Sequence, residues 1–185
     1  SRHGNYTQFA GSLAWGPDHN TLHLAARIYR MPDDESISPL TTVGDLSSPD
    51  GGITWTRSDG QSEKQPATAE TFDTIASGRA KEGRVLNAGS IGVDPNGEPF
   101  VPYSIRTQDT SQTYLASPIG DAKWRHLHMN QFLPEGYRDW DLFMHGGVSF
   151  GSSGQPTVAA TMMHIAVDGI DWGEVTTELV RFRSE

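Results

Sequence analysis

The sequence predicts an all-β chain of repeated four-stranded antiparallel sheets, and three observations carry that prediction. A short pattern rich in turn residues occurs twice. A segment of small residues recurs upstream of each copy and once more near the end. After each small-residue segment comes a turn and then an apolar strand. The unit is therefore strand, turn, strand, loop, strand, tight turn, strand, which is the layout of a β-propeller blade. The 185 residues hold about three such blades.

The first unit starts at Ala10-Gly11-Ser12-Leu13, turns at Pro17-Asp18-His19-Asn20 and continues in an apolar strand, Leu22 to Ile28. It closes on Ser48-Pro49-Asp50-Gly51-Gly52-Ile53-Thr54-Trp55. There Asp50 is suited to accept backbone N–H bonds within a tight turn. Gly51 and Gly52 permit positive φ, and Trp55 begins the next strand with a large apolar plate. The second unit repeats the order with Ala88-Gly89-Ser90-Ile91, the turn Asp94 to Gly97 and the strand Pro99 to Ile105. Its closing turn, Ser117-Pro118-Ile119-Gly120-Asp121-Ala122-Lys123-Trp124, keeps Ser, Pro, Gly and Trp at the same offsets and lacks the Asp. The third unit has Gly146-Gly147-Val148-Ser149, a turn at Ser152 to Gln155 and the strand Pro156 to Met162.

Ser48 follows Gly11 by 37 residues, and the same step from Gly147 reaches Ser184. Leu179 to Phe182 is then the third strand of the last unit, whose outer strand is missing. The expected organisation is one propeller segment, 1–185, with blades at about 9–58, 86–128 and 143–185. Complete propellers have four to eight blades. Further blades or partner chains are therefore expected to complete the ring and cover the open edges. A single closed sandwich of about ten strands is the competing architecture, because turn spacing alone also suits it. Between units, the polar stretch Thr56 to Arg84 is an excursion with room for a short helix or strand at Thr71 to Ala80. Asn130 to Asp141, with Tyr137 and Trp140, is a second long loop, the kind of segment that often carries a binding site.

Gly 20 and Pro 11 suit a turn-rich β chain, and no apolar run approaches a membrane span. With no Cys, disulfides and thiolate chemistry are excluded. A net charge of −9 argues against general nucleic-acid binding, yet leaves room for a local Arg/His cluster that takes an anionic substrate. No H-E-x-x-H, calcium-loop, phosphate-loop or dinucleotide pattern is present, so neither a cofactor nor a metal is expected.

The closing turn of the first unit matches the Asp-box, or BNR repeat. The run Arg2-His3-Gly4-Asn5-Tyr6, then Leu22 to Arg27, then Gly44 to Trp55 resembles the BNR-repeat family that includes ulvan-lyase-type polysaccharide lyases and many neuraminidase-like proteins. Leu86 to Gly89 and Asp94 to Tyr103 resemble a later blade of that family. The resemblance implies a carbohydrate-active propeller acting on acidic polysaccharide, by β-elimination at a uronate, and a secreted or periplasmic location. A sialidase-like hydrolase and a non-catalytic glycan- or protein-binding propeller are the alternatives. The family's paired His and its Tyr/Arg motif belong to blades preceding the one matched by residues 2–55. Tyr6 matches a tyrosine at the start of a family blade, although His3-Gly4-Asn5 replaces the more usual Asn-Ala before it. Arg27-Ile28-Tyr29-Arg30 lacks the Pro of the sialidase Arg-Ile-Pro motif.

Position and chemistry single out the candidates. His3 and Tyr6 precede the first inner strand, and His145 precedes the third, where channel residues of a propeller emerge. As catalytic candidates, His titrates near neutrality and Tyr can shuttle a proton beside a cation. As substrate-binding candidates, His23 and Arg27 lie four apart on one strand and share a face. A guanidinium there can grip a uronate or sulfate bidentately, though cross-strand pairing would equally occupy it. Tyr103 and Arg106 close the matching strand of the second unit. His126 and His128 alternate at chelating spacing without a third ligand in sequence, and His164 near Asp168 and Asp171 is a weaker metal pattern. Trp15, Trp140 and Trp172 offer sugar-stacking planes, whereas Trp55 and Trp124 are assigned to packing.

Overall fold

A computed structural model of the chain describes residues 7–31, 39–63, 68, 69, 71–107, 110–120, 123–143, 146–164 and 177–183. Its strands form three separate antiparallel sheets, which excludes the single closed sandwich. The first contains β1 (Thr7–Trp15), β2 (Leu22–Arg30), β3 (Leu40–Ser48), β4 (Trp55–Thr56), β5 (Ser62–Glu63) and β6 (Asp73–Arg79). The second contains β7 (Val85–Ala88), β8 (Gly92–Val93), β9 (Pro99–Arg106), β10 (Ser111–Pro118) and β11 (Trp124–His128). The third contains β12 (Asp141–Phe143), β13 (Val148–Phe150), β14 (Pro156–Met163) and β15 (Thr177–Arg183).

Alternation decides which face each strand buries. On β2, Leu24, Ala26 and Ile28 pack with Leu46, Phe72 and Trp55 on one side of the first sheet. Ala25 points the other way, with Val43 and Ile75, into a seam shared with Leu86, Val101, Tyr103 and Trp124 of the second sheet. The opposite face of the second sheet, through Leu115 and Phe100, packs on Leu142, Val148, Val158 and Ala160 of the third. Two apolar seams thus stack three sheets in series, as propeller blades stack.

The first closing turn is held as its residues require. Asp50 Oδ1 accepts the Thr54 N–H at 2.8 Å and the Ser48 hydroxyl at 2.8 Å, and its Oδ2 accepts the Thr54 hydroxyl at 2.7 Å. The Trp55 indole donates to the Gly52 carbonyl at 3.1 Å. Gly51 and Gly52 sit at φ of 70° and 100°, where a side chain would be strained. The bonds from Thr54 hold the Asp50 carboxyl below its ordinary range.

The excursion after the turn is less separate than its polarity implies. Asp73–Arg79 is a strand, and it pairs with β3 from Leu40 to Asp45, so the first sheet continues past the turn. A carboxylate secures it: Asp73 accepts the Ser58 N–H and lies 3.5 Å from Arg57 Nε. The loop after β11 docks similarly. Asn130 accepts the Thr113 N–H at 2.8 Å and donates to the Ser111 carbonyl at 3.1 Å.

Candidate functional site

The recurring small-residue segments meet along the inner strands. The Ile91 N–H donates to Ser12 Oγ at 2.9 Å, joining the first and second sheets. The Ser90 N–H donates to the Gly146 carbonyl at 2.8 Å, and Val148 N–H returns to the Ser90 carbonyl at 3.3 Å. Glycine is required by contact there: a Cβ on Gly147 would lie 2.8 Å from the Ser90 Cβ. A cavity of about 120 Å³ lies at the first junction, lined by Ala10, Gly11, Ser12, Ala25, Ala88 and Ser90 among others.

Arg27 stands beside this junction. It is in register with Ala10 on β1 and Val43 on β3, and it is half-buried. Its Nη1 donates to Asn87 Oδ1 on the second sheet at 3.2 Å. The bond therefore crosses between sheets rather than lying within one. Arg106 occupies the matching end of the next seam. It is exposed, its guanidinium carbon lies 6.0 Å from the centre of the Phe143 ring, and its charge tempers the Asp141 carboxyl. Burial raises Asp141 above its ordinary pKa, while the Ser111 N–H at 2.7 Å and Arg106 pull it down.

His23 and Tyr103 lie elsewhere. His23 shares Arg27's face but sits at the other end of β2, opposite Ala14 and Ser47. It is buried, and desolvation lowers its pKa against the raising charge of Asp18. Tyr103 is 3 % exposed. Its ring stacks on Tyr114 at 5.3 Å, and its hydroxyl lies 3.0 Å from His126 Nδ1. Burial and the neighbouring Tyr114 push the Tyr103 phenol well above its ordinary pKa, and partial desolvation pushes His126 down. His128 stacks on Tyr114 at 5.1 Å. His126 and His128 are thus each engaged by a tyrosine, and no group of three metal-ligating side chains occurs among the described residues.

This Tyr–His ladder was not legible as a unit, because it needs the register Tyr103–Tyr114–His128 across three strands. The alternation of His126 and His128 was the only sequence signal for it. Trp140 stacks on His164 at 5.1 Å and meets Tyr137 edge-on at 5.2 Å, while His164 Nε2 lies 3.0 Å from Asp139. One face of its indole is therefore covered. Asn87 and Asp141 are polar groups at the seams that sequence reading did not select. His3, Tyr6, His145, Asp168, Asp171 and Trp172 lie outside the described residues.

Comparison with curated proteins gave no match. Among solved structures, the chain is similar to an ulvan lyase described as a new family of polysaccharide lyase, PL25, with a TM-score of 0.53 and 16% identity over 96% of this chain and 43% of that one. It is also similar to the PL25 ulvan lyase bound to -[GlcA(1-4)Rha3S]-, with a TM-score of 0.52 and 16% identity over 95% and 43%. The chain therefore spans less than half the length of these structures, and at this identity the likeness is one of fold. The family model for BNR repeat-containing proteins matches residues 13–132, covering both closing turns and the strands that carry them. With three stacked antiparallel sheets joined along their inner strands, the chain belongs to the BNR repeat-containing family.

Proposed function

We propose that the chain is part of a carbohydrate-active propeller that takes an acidic polysaccharide and cleaves it by β-elimination at a uronate. The observation that carries the reading is Arg27, half-buried where the first two sheets meet and oriented by Asn87. β-Elimination needs a cation on the uronate carboxylate, a base for the C5 proton and an acid for the leaving oxygen. A guanidinium fork fits the first task. Arg106, exposed at the matching end of the next seam, is a second anion contact along the same polymer. His3, Tyr6 and His145 are proposed for the proton transfers. Family membership and the lyase fold likeness support the reading. A polymeric substrate carries with it a secreted or periplasmic location, and further blades or partner chains would complete the ring.

The test uses this chain with a sulfated glucuronate–rhamnose polysaccharide, a glucuronan and a pectate. Lyase action gives an unsaturated uronate absorbing in the near ultraviolet, and hydrolysis gives new reducing ends without it. Arg27→Lys keeps the charge and loses the fork. It should weaken binding about ten- to a hundredfold, since charge-assisted hydrogen bonds carry ~1.5–3 kcal/mol. Unchanged binding in Arg27→Lys would remove Arg27 from the site, and absence of both products from every polymer, with the ring completed, would end the enzyme reading. A non-catalytic glycan-binding propeller is the second reading. It is favoured by Tyr103, whose burial keeps its phenol protonated and unsuited to act as a base.

A further inference from the structure

The turn Asp94 to Gly97 joins β8 to β9, and the corresponding turns of the other two sheets close in the same way. The His19 N–H donates to the Gly16 carbonyl at 3.1 Å, the Gly97 N–H to the Asp94 carbonyl at 3.0 Å, and the Gly154 N–H to the Gly151 carbonyl at 3.0 Å. The donor residue in each has a positive φ, 54° at His19, 91° at Gly97 and 73° at Gly154. The residue before it is Asp18 in the first turn, Asn96 in the second and Ser153 in the third. Of Asn5, Asn20, Asn87, Asn96 and Asn130, Asn96 alone is followed by glycine. It is exposed to solvent. Its Nδ2 donates to Asp94 Oδ2 at 3.2 Å and its N–H to Asp94 Oδ1 at 2.9 Å, so the side chain is kept folded over the turn.

We infer that Asn96 is a site of spontaneous covalent modification, at which water converts the asparagine to isoaspartate and opens the turn. The Gly97 nitrogen attacks Asn96 Cγ, the Cγ–Nδ2 bond breaks, and ammonia leaves with the proton that Gly97 gives up. The product is a five-membered succinimide, and water then adds to one of its two carbonyl carbons. Addition at Cγ gives aspartate. Addition at the main-chain carbonyl leaves Gly97 bonded to Cγ, which is isoaspartate, with one methylene inserted in the main chain. Glycine favours the ring closure because no Cβ obstructs the approach. Asp50 and Asp59 also precede glycines, but Asp50 is held ionised by its bonds from Thr54 and Asp59 pairs with Arg57 at 3.0 Å. A carboxylate offers no comparable leaving group. The consequence falls at the rim of the second seam. A carboxylate formed at Cγ faces that of Asp94 where an N–H donor stood. The added methylene carries Gly97 and Glu98 away from Asp94, whose carbonyl and Oδ1 their N–H groups meet at 3.0 and 2.8 Å. Pro95 of this turn lies against the third sheet's turn, since a Cβ on Gly154 would sit 3.7 Å from Pro95 Cγ. The inference is independent of the lyase reading.

The test ages the whole folded chain in mildly alkaline buffer and maps it by proteolysis and mass spectrometry. The peptide holding Asn96 should gain the mass that replaces NH2 by OH and split into aspartate and isoaspartate forms. It should do so ahead of the peptides holding Asn20, Asn87 and Asn130. Asn96→Ser should remove the gain while circular dichroism shows the fold retained. In the aged chain, amide exchange at Glu98 should quicken about two- to tenfold, as the loss of one ordinary hydrogen bond implies. Asn96→Asp carries the charge without the extra methylene and should quicken it less. Retention of Asn96 in the folded chain, while a urea-unfolded control converts, would overturn the inference, because the turn would then protect the site. Conversion that leaves Glu98 exchange unchanged would overturn the opening of the turn.

Discussion

The two seams of the molecule are built on one plan and filled differently. The first, between the first and second sheets, is closed by Trp124, and Tyr103, Tyr114 and His128 stack along it. The second, between the second and third sheets, packs Leu133, Leu142 and Ala160 together and holds a cavity of about 460 Å³ lined by Leu115, Met129, Val158 and Phe182 among others. The inner ends differ much less, since small residues meet at both, joined in the first by the Ile91 N–H to the Ser12 hydroxyl and in the second by backbone hydrogen bonds. The contrast teaches that small residues set how closely the inner strands approach, while in the first seam a tryptophan and stacked rings fill the space between the sheets.

The largest effect should come from making the first seam resemble the second. Trp124→Ala removes the indole from the cluster around Val101 and Ala116. Truncating a large core aromatic costs about 3–5 kcal/mol. Because Trp124 is only half-buried, the expected loss is about 3 kcal/mol, read as a lowered urea midpoint with the denaturant slope kept. A loss under about 0.5 kcal/mol, the usual size of a surface substitution, would mean that the tryptophan is not what fills a seam.

Next in size is a change at the inner end. Gly147→Ala adds a Cβ 2.8 Å from the Ser90 Cβ and 2.9 Å from its carbonyl oxygen. These neighbours include backbone, so the strands must part, at a cost of about 1–3 kcal/mol. Weakened amide protection of Ser90 and Val148 by hydrogen exchange would locate the damage. Unchanged protection and stability would show that the inner strands are not held by close approach.

Much of this plan is legible in the sequence, because its parts are local. The turn at Ser48 to Trp55 needs its glycines and its Asp within eight positions, and the strands after Leu22, Pro99 and Pro156 follow turns of ordinary composition. What was not legible depends on pairing between distant segments. A short helix or strand is expected at Thr71 to Ala80, but that Asp73–Arg79 extends the first sheet shows only when it is set against Leu40 to Asp45. Asn87 gains its meaning only by reaching Arg27, sixty residues away. Likewise His23 and Arg27 share a face by spacing, but only the sheet order sends one to the turn end and the other to the junction with the second sheet.

A third comparison is electrostatic and lies on the first sheet. Asp45 and Asp73 are cross-strand neighbours, 5 % and 4 % exposed, and Asp45 Oδ1 has no hydrogen-bond partner among the described residues. Burial first, and then the charge of Asp73, raise the Asp45 pKa well above its ordinary value. The folded state therefore holds a proton that the unfolded chain has released. Stability from this group is present below the ordinary carboxylate range and is lost as pH rises toward the raised value. Asp45→Asn keeps the shape and removes the titration. It should flatten the decline of the urea midpoint between acid and neutral pH, a slope of at most ~1.4 kcal/mol per pH unit for one proton. An unaltered slope would assign the decline to another group.

The smallest expected effect tests whether the first seam depends on its polar ladder or on its packing. Tyr103→Phe removes the hydroxyl that meets His126 Nδ1 and leaves the stack on Tyr114 in place. His126 is exposed, so water can replace the lost partner. The phenol is different, because its oxygen is buried with the ring and disappears together with the bond. Losing a contact whose remaining partner is solvated costs about 1 kcal/mol or less, well below the loss at Trp124. The His126 titration separates the causes further. Its pKa is lowered by desolvation, so stability from the neutral ring is present above the ordinary histidine range and is lost as pH falls through the lowered value. Tyr103→Phe leaves that covering in place, and the His126 midpoint, followed by proton NMR of its ring, should stay below that of a free histidine. A midpoint that returns to the ordinary value would make the hydroxyl, rather than the cover of the seam, the cause, and the ladder would then rank with Trp124 in closing the two sheets together.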